Sequence, residues 1–252
     1  MHKSTQSALI LLYLYARSDQ KLQSVKQEIE EQIRGIDVET IVFDFTNADI
    51  KDYENKIFNK LKTLDVGVVV NNVGIISNFP EVLHKSDGDF EKSRNILTVN
   101  TLATTILTQE VLTQMVPRKR GIIVNIGSIA GLASVAEYSV YSSTKKYISH
   151  FSAILAKEYK PHGITIQYVS PGLVTTNMSK VTEASFFGPN PEDFVESALK
   201  TVGTINETCG YIGHQIEVEI FNLLPPFVLD LLLKKKNESR RTSYFKSIEA
   251  TQ

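Results

Sequence analysis

A phenol and an ammonium stand four residues apart in Tyr138-Ser139-Val140-Tyr141-Ser142-Ser143-Thr144-Lys145, at the head of an apolar run with helical spacing. Positions i and i+4 of a helix lie on the same face, so the spacing sets Tyr141 beside Lys145. A free phenol titrates near ~10 and is a poor proton donor at neutral pH. A neighbouring cation favours the phenolate, which is expected to lower that value into range for general acid–base work. Surface helices carry Tyr-x-x-x-Lys pairs by chance, so the reading depends on what accompanies the pair.

Four other stretches accompany it. Gly121-Ile122-Ile123-Val124-Asn125-Ile126-Gly127-Ser128 reads as a buried strand running into a small-residue turn. Val68-Val69-Val70-Asn71-Asn72-Val73-Gly74 reads as another buried strand ending in a polar loop. Leu97-Thr98-Val99-Asn100 sets an asparagine inside a helical pattern, and Ile164-Thr165-Ile166-Gln167-Tyr168-Val169-Ser170-Pro171-Gly172 is a strand stopped by Pro-Gly. Singly, Ser128 reads as a turn residue and Asn100 as a helix kink. Jointly, N-N-x-G, the helical Asn, G-S, Y-x-x-x-K and P-G resemble the short-chain dehydrogenase/reductase family in order and spacing, over roughly residues 8 to 215.

The elements that must position these residues follow from the apolar pattern. Residues 8–15 form an apolar run of strand length, bounded by Arg17-Ser18-Asp19. A signal-peptide core is the rival reading of that run, but an A-x-A-like cleavage site is missing. Ser18 is placed to cap a helix in which Leu22, Val25 and Ile29 recur up to Gly35. Further elements are predicted as strand 40–45, helix 50–63, strand 66–71, helix 91–115 stopped by Pro117, strand 121–126, helix 138–159 and strand 164–170. Strands joined by crossover helices must be parallel, so the fold class is α/β, a Rossmann-like doubly wound parallel sheet in a single domain. We assign 1–215 to that domain and 216–252 to an apolar, then basic, C-terminal tail. A long irregular segment, 174–190, follows the last of these strands, where such sheets bind ligands. The resemblance makes it the substrate-binding lid.

The composition is that of an ordinary α/β domain of 252 residues, 42% hydrophobic and 22% charged. A formal net charge of −1 argues against a nucleic-acid binder. Cys209 stands alone, so no internal disulfide forms. His2, His84, His150, His162 and His214 lack metal-ligand spacing, and no metal site is expected.

The resemblance implies a ketone–alcohol oxidoreductase whose catalytic set is Tyr141, Lys145, Ser128 and Asn100. Hydride transfer to a carbonyl leaves a developing alkoxide, which needs hydrogen-bond donors and then a proton. By resemblance, Tyr141 supplies the proton and Lys145 also grips the nicotinamide ribose. Ser128 binds the substrate oxygen, and Asn100 holds a water linking Lys145 to solvent. For the cofactor, the family pattern carries over Asp44 at the adenine edge, Asn71 and Gly74 near the adenosine ribose, and Pro171, Gly172 and Val174 beside the nicotinamide. Arg17 falls where the family reads the adenosine 2′ position. A cation there suits a 2′-phosphate, so the expected cofactor is NADP.

One departure is large. The family opens on a strand and a T-G-x-x-x-G-x-G turn whose backbone N–H groups hold the pyrophosphate. Residues 1–16 hold no glycine, and the run at 8–15 aligns with the family's second strand. The expectation is therefore a sheet without its first strand, in which strand 8–15 moves over to pair with strand 66–71. Charge-assisted hydrogen bonds contribute about 1.5–3 kcal/mol each, so losing two or three costs roughly 3–9 kcal/mol of nucleotide binding. Val73 and Gly127 depart from the family's usual Ala and Ser.

Finer features place the chain in a branch. Asp44-Phe45-Thr46, Pro171-Gly172-Leu173-Val174-Thr175-Thr176-Asn177-Met178, and Gly210-Tyr211 with His214 before Leu-Pro-Pro are similar to the 17-beta-hydroxysteroid dehydrogenase and very-long-chain 3-oxoacyl-CoA reductase branch. That resemblance implies a steroid or long-chain acyl substrate and the endoplasmic reticulum, with a cytoplasmic location as the alternative and a homodimer as the expected assembly. The tail's leucines and Lys234-Lys235-Lys236 suit either an anionic membrane surface or a helix packed on the domain. A second functional reading is a catalytically silent scaffold acting as a partner subunit, because the phosphate-binding turn is absent.

Overall fold

The chain was analysed as a computed structural model that describes residues 10–86 and 88–250. Residues 8 and 9 of the predicted first strand, and His2, lie outside the described residues. The chain forms two compact units, Met1–Leu64 and Asp65–Gln252.

In the first unit, the β-forming run Ile10–Ala16 (β1) pairs in parallel with Ile36–Val42 (β2), in the register Leu12↔Val38 and Ala16↔Val42. Helix α1, Asp19–Gln32, makes the crossover. Its cap is the predicted one: Ser18 Oγ accepts from Lys21 N at 3.4 Å, satisfying one of the N–H groups a helix start leaves unpaired. Strand β2 begins four residues earlier than the pattern indicates. Phe43 and Phe45 lie past its end and are buried with Tyr53, the Phe43 and Tyr53 rings meeting edge-on at 4.6 Å. Their apolar character comes from this cluster and not from a strand. Tyr53 ends α2 (Ile50–Tyr53), which runs through a π-turn, Glu54–Phe58, into α3 (Asn59–Leu61).

The second unit carries a four-stranded parallel sheet of order β3 (Val68–Asn71), β4 (Gly121–Ile126), β5 (Ile164–Val169) and β6 (Glu207–Thr208). Its crossovers are α4 (Asp89–Leu97) continuing through a π-turn, Thr98–Leu102, into α5 (Ala103–Arg118); then α6 (Ser139–Tyr159); then α7 (Pro191–Leu199). Pro117 lies inside α5 and does not stop it at 115; a left-handed Lys119 does so after Arg118. Near the helix end a missing N–H costs little.

A polar core staples this layer together. Asn71 and Asn125 are partners across β3 and β4, and Asn71 Nδ2 donates to Asn125 Oδ1 at 2.8 Å and to Thr108 Oγ1 of α5 at 3.1 Å. Asn125 Nδ2 donates to Ser152 Oγ of α6 at 2.9 Å. These groups are buried, and unpaired each would cost about 1–3 kcal/mol.

The expected pairing of strand 8–15 with strand 66–71 is not formed among the described residues. Strands β1 and β2 make a sheet of their own, and β3 is an edge of the other.

The C-terminal residues form α8 (Ile212–Leu223) and α9 (Pro226–Glu249). Helix α9 is packed on its unit through Asn237, which is buried, and through Tyr244 and Phe245, whose rings lie 4.9 and 5.0 Å from Phe79. Lys236 pairs with Glu217 of α8 at 3.7 Å. Among the described residues no helix is long and apolar enough to cross a membrane.

Candidate active site

Helix α6 carries Tyr141 and Lys145 one turn apart, and three devices fix where it begins. Ser142 Oγ donates to Ala130 O at 2.6 Å and to Ala133 O at 3.2 Å, tying the first turn to the loop after β4. Gly131 lets the helix approach, because a Cβ there would lie 2.6 Å from the Lys145 carbonyl carbon. The loop itself is shaped by Ser128, whose Oγ accepts from Ala130 N at 3.1 Å.

The carboxyl ends of β3, β4 and β5 surround this face, as expected for a ligand site on a parallel sheet. Lys145 is 5% exposed, and its Nζ donates to Ile126 O at 3.1 Å. Gly74, in the loop after β3, lies against the same ammonium. A Cβ there would come 3.4 Å from Lys145 Nζ and 3.5 Å from Asn100 Oδ1. Ser128 lies close enough to the Tyr141 phenol to act on its acidity, and Lys145 Nζ sits 5.8 Å from the Tyr141 ring centroid. Ser128, Tyr141, Lys145, Asn100 and Gly74 are thus brought together.

Asn100 sits in the π-turn between α4 and α5, a one-residue bulge of the kind that re-aims side chains at functional sites. Its amide accepts from Ile75 N at 2.8 Å and donates to Ile75 O at 2.9 Å and Thr144 Oγ1 at 3.1 Å. The side chain therefore clamps the loop after β3 to α6.

The electrostatics depart from the expectation in one respect. Burial pushes the Tyr141 phenol above its ordinary value, more strongly than the nearby Ser128 side chain or the charge of Arg240 lowers it. Lys145 does not bring it down as the four-residue spacing indicated. Burial acts on the ammonium too, depressing Lys145 to about 8. Taking both groups out of water disfavours the charged form of each. At neutral pH the site therefore holds a protonated phenol, a proton donor, beside an ammonium whose charge begins to leave near pH 8.

Two contributors escaped sequence reasoning. Thr144 receives the Asn100 amide, and Tyr168 occupies the space beside Gly127. A Cβ on Gly127 would lie 2.1–2.2 Å from the Tyr168 ring, so the small residue at 127 and the aromatic at 168 fit as a pair. Tyr168 Oη meets Ser128 N and O at 3.4 Å. The departure at Gly127 from the usual Ser was the available signal.

The remaining predicted residues divide by element. Pro171, Gly172 and Val174 follow β5, and Pro171 O accepts from Ile129 N at 3.0 Å. Gly172 is packed against the buried His214, whose Nε2 is 3.0 Å from Leu173 O; a Cβ would meet the His214 ring at 2.6 Å. Asn71 turns its side chain into the polar core already described. In the first unit, Arg17 and Asp44 both lie just past the carboxyl ends of β1 and β2, and Asp44 Oδ1 accepts from Thr46 N at 2.9 Å.

Comparison with known proteins agrees with this arrangement. The short chain dehydrogenase family model matches residues 5–185. The chain belongs to the short-chain dehydrogenase family. Within it, the chain is 45% identical over 94% of its length to the very-long-chain 3-oxoacyl-CoA reductase let-767 of Caenorhabditis elegans, covering 74% of that protein. It is 36% identical to the human very-long-chain 3-oxoacyl-CoA reductase, covering 92% of this chain and 73% of the human one. Among solved structures, a short-chain dehydrogenase from Sphingobium yanoikuyae in complex with NADPH matches with a TM-score of 0.66 and 26% identity, over 76% of this chain and 74% of that one. The branch read from the sequence is thereby supported.

A nicotinamide dinucleotide fits the residues of the second unit. Among the described residues the Lys145 ammonium donates one hydrogen bond, to Ile126 O, so two of its three protons remain for hydroxyl acceptors such as those of a ribose. The space kept open by Gly74 lies directly before it.

Proposed function

We propose that this short-chain dehydrogenase is an NADP-dependent reductase of a ketone on a long-chain acyl or steroid substrate, with Tyr141 as general acid. The observation that carries the proposal is geometric: Tyr141 stands one helical turn from the buried Lys145, with Ser128, Asn100 and Gly74 gathered around the pair. A bound nicotinamide would supply the hydride. The chain's own residues then do the rest. Ser128 donates a hydrogen bond to the substrate oxygen, and Tyr141 Oη releases its proton to the oxygen as negative charge develops there. Lys145 offers its free protons to ribose hydroxyls and stabilises the phenolate left on Tyr141. Asn100 keeps the loop at Gly74 and Ile75 fixed against α6.

A protonated phenol suits the reductive direction, in which the site gives up a proton. Relatives at like identity are named very-long-chain 3-oxoacyl-CoA reductase and putative steroid dehydrogenase, so their names support either substrate. Arg17 and Asp44 are proposed to contact the adenosine end of the nucleotide, with Arg17 selecting the 2′-phosphate; Asn71, Pro171, Gly172 and Val174 complete the assignment. We propose the endoplasmic reticulum as the protein's location, on the branch resemblance.

The test is NADPH oxidation by the purified chain with a long-chain 3-oxoacyl thioester, in wild type and Tyr141→Phe. General acid catalysis contributes typically ~10²–10⁴ in rate, so turnover should fall by about that factor. Nicotinamide fluorescence should show nearly unchanged NADPH affinity, because the substitution removes a proton donor and no more. Equal turnover in the two proteins rejects the proposal, and absence of NADPH binding leaves the silent-scaffold reading.

A further inference from the structure

Helix α9 reaches the chain just ahead of Tyr141 through two side chains one helical turn apart. Asn237 Nδ2 donates to Ala136 O at 3.0 Å. Arg241 Nη2 pairs with Glu137 Oε1 at 2.9 Å and with Glu81 Oε1 at 3.4 Å, while its Nε donates to Pro80 O at 2.8 Å. One guanidinium therefore joins the loop after β3 to the turn that opens α6. The two segments also meet directly, Glu81 N donating to Glu137 O at 2.9 Å.

The turn so held is an unfavourable one. Glu137 has φ +66°, a left-handed conformation that a residue with a Cβ adopts only when its surroundings impose it. Tyr138 and Tyr141 follow immediately, and Ser142 N closes the first helical hydrogen bond on Tyr138 O at 2.8 Å. A cavity is lined by Ser77, Glu81, Ile96, Glu137, Tyr138 and Tyr141, so the clasped residues and the phenol share one wall. The Arg241 fork suits this task, since its planar donors reach one oxygen of each of two carboxylates and a carbonyl in fixed directions.

We propose that Arg241, seconded by Asn237, is a positioning element that sets the placement of the Tyr141 phenol by holding Glu137 in its left-handed turn against the loop at Pro80 and Glu81. The inference rests on Tyr141 being the proton donor, as proposed above. Arg241 touches no reacting atom. Its removal lets the turn relax and swings the start of α6. Misplacement of a reacting group by about 1 Å can cost ~10²-fold in rate.

The experiment compares Arg241→Gln and Arg241→Lys with wild type and Tyr141→Phe, measuring kcat, KM, NADPH affinity, thermal unfolding and backbone amide exchange. In Arg241→Gln, kcat should fall about 10- to 100-fold while KM and NADPH affinity hold; the melting temperature should drop as well, because two largely buried carboxylates lose their cation. Arg241→Lys, which keeps charge without the fork, should recover part of the loss. Amide exchange should accelerate at Glu81 and Tyr138–Ser142 but not in the later turns of α6. Should Arg241→Gln fail to fold, Asn237→Ala carries the same readouts. Unchanged exchange at those amides overturns the inference whatever the turnover. So does a loss of kcat matched by a loss in NADPH affinity, which marks a merely structural residue. If Tyr141→Phe is inactive and Arg241→Gln is fully active, the positioning role alone falls; if Tyr141→Phe is fully active, the catalytic reading falls.

Discussion

The two units solve burial differently. The interior of the first is apolar and aromatic: among the described residues Leu22, Val38, Phe43, Phe45, Tyr53, Ile57, Phe58 and Leu61 are its buried hydrophobic residues. The second buries Asn71, Asn100, Asn125, Lys145, Ser152 and Gln167 as well, nearly all of them hydrogen-bonded across elements. Polar burial adds little to net stability, because each bond replaces one to water. It does fix direction, since each partner must stand at one place. The contrast separates a scaffold from a site: polar groups are buried where side-chain placement matters to chemistry.

Four variants test that contrast. The largest effect is expected from Phe43→Ala in the aromatic cluster, which should lower unfolding free energy by about 3–5 kcal/mol in denaturant titration. A loss under ~1 kcal/mol there would mean the first unit's cluster does not hold it together.

Lys145→Met sharpens the comparison from the other side. Depression of Lys145 from 10.5 to about 8 means the folded state binds fewer protons than the unfolded state between those values. The buried charge therefore costs stability at pH 7, by about 3 kcal/mol at ~1.4 kcal/mol per pH unit, and the cost is relieved as pH rises from 8 towards 10.5. Lys145→Met should raise stability at pH 7, flatten that part of the pH dependence and abolish turnover. A destabilised variant would show that the ammonium is compensated by bonds that outweigh its burial. In the wild type, reduction should slow above pH 8 as the charge is lost.

Arg17→Asp, in the first unit, should shift the ratio of NADPH to NADH affinity toward NADH by roughly 10-fold or more, the worth of one charge-assisted hydrogen bond. An unchanged ratio removes Arg17 from the site. An effect of about 1 kcal/mol per lysine is expected on membrane association. Replacing Lys234, Lys235 and Lys236 by Gln should reduce flotation with anionic liposomes, and flotation that salt does not weaken leaves α9 as a packed helix only.

Much was readable from local pattern. Strand 121–126 falls where periodicity puts it, and α6 and β5 differ from their predicted bounds by one residue. Ser18 caps α1 because a cap needs only a side-chain oxygen three residues from an N–H. The Tyr141–Lys145 stacking follows from 3.6 residues per turn, whereas Ser128 and Asn100 were picked out by resemblance to the family's order and spacing. Such features depend on neighbours within a few residues, so sequence carries them directly.

What tertiary structure decided lies at long sequence separation. The Tyr141 phenol rises instead of falling because desolvation sums over every element packed around it, whereas spacing shows only the cation four residues on. The end of β2 at Val42 is set by an aromatic cluster that includes Tyr53 from the following helix. Gly127 is small because Tyr168, on the next strand, fills its space. The division into two sheets reverses the expected pairing of residues 8–15, since apolar strand patterns specify which residues pair but not with which strand. The grip of Arg241 on Glu137 spans 104 residues and that on Pro80 spans 161. Nothing in the local composition of either end encodes such contacts; they exist only once the chain has folded and brought the partners within bonding distance.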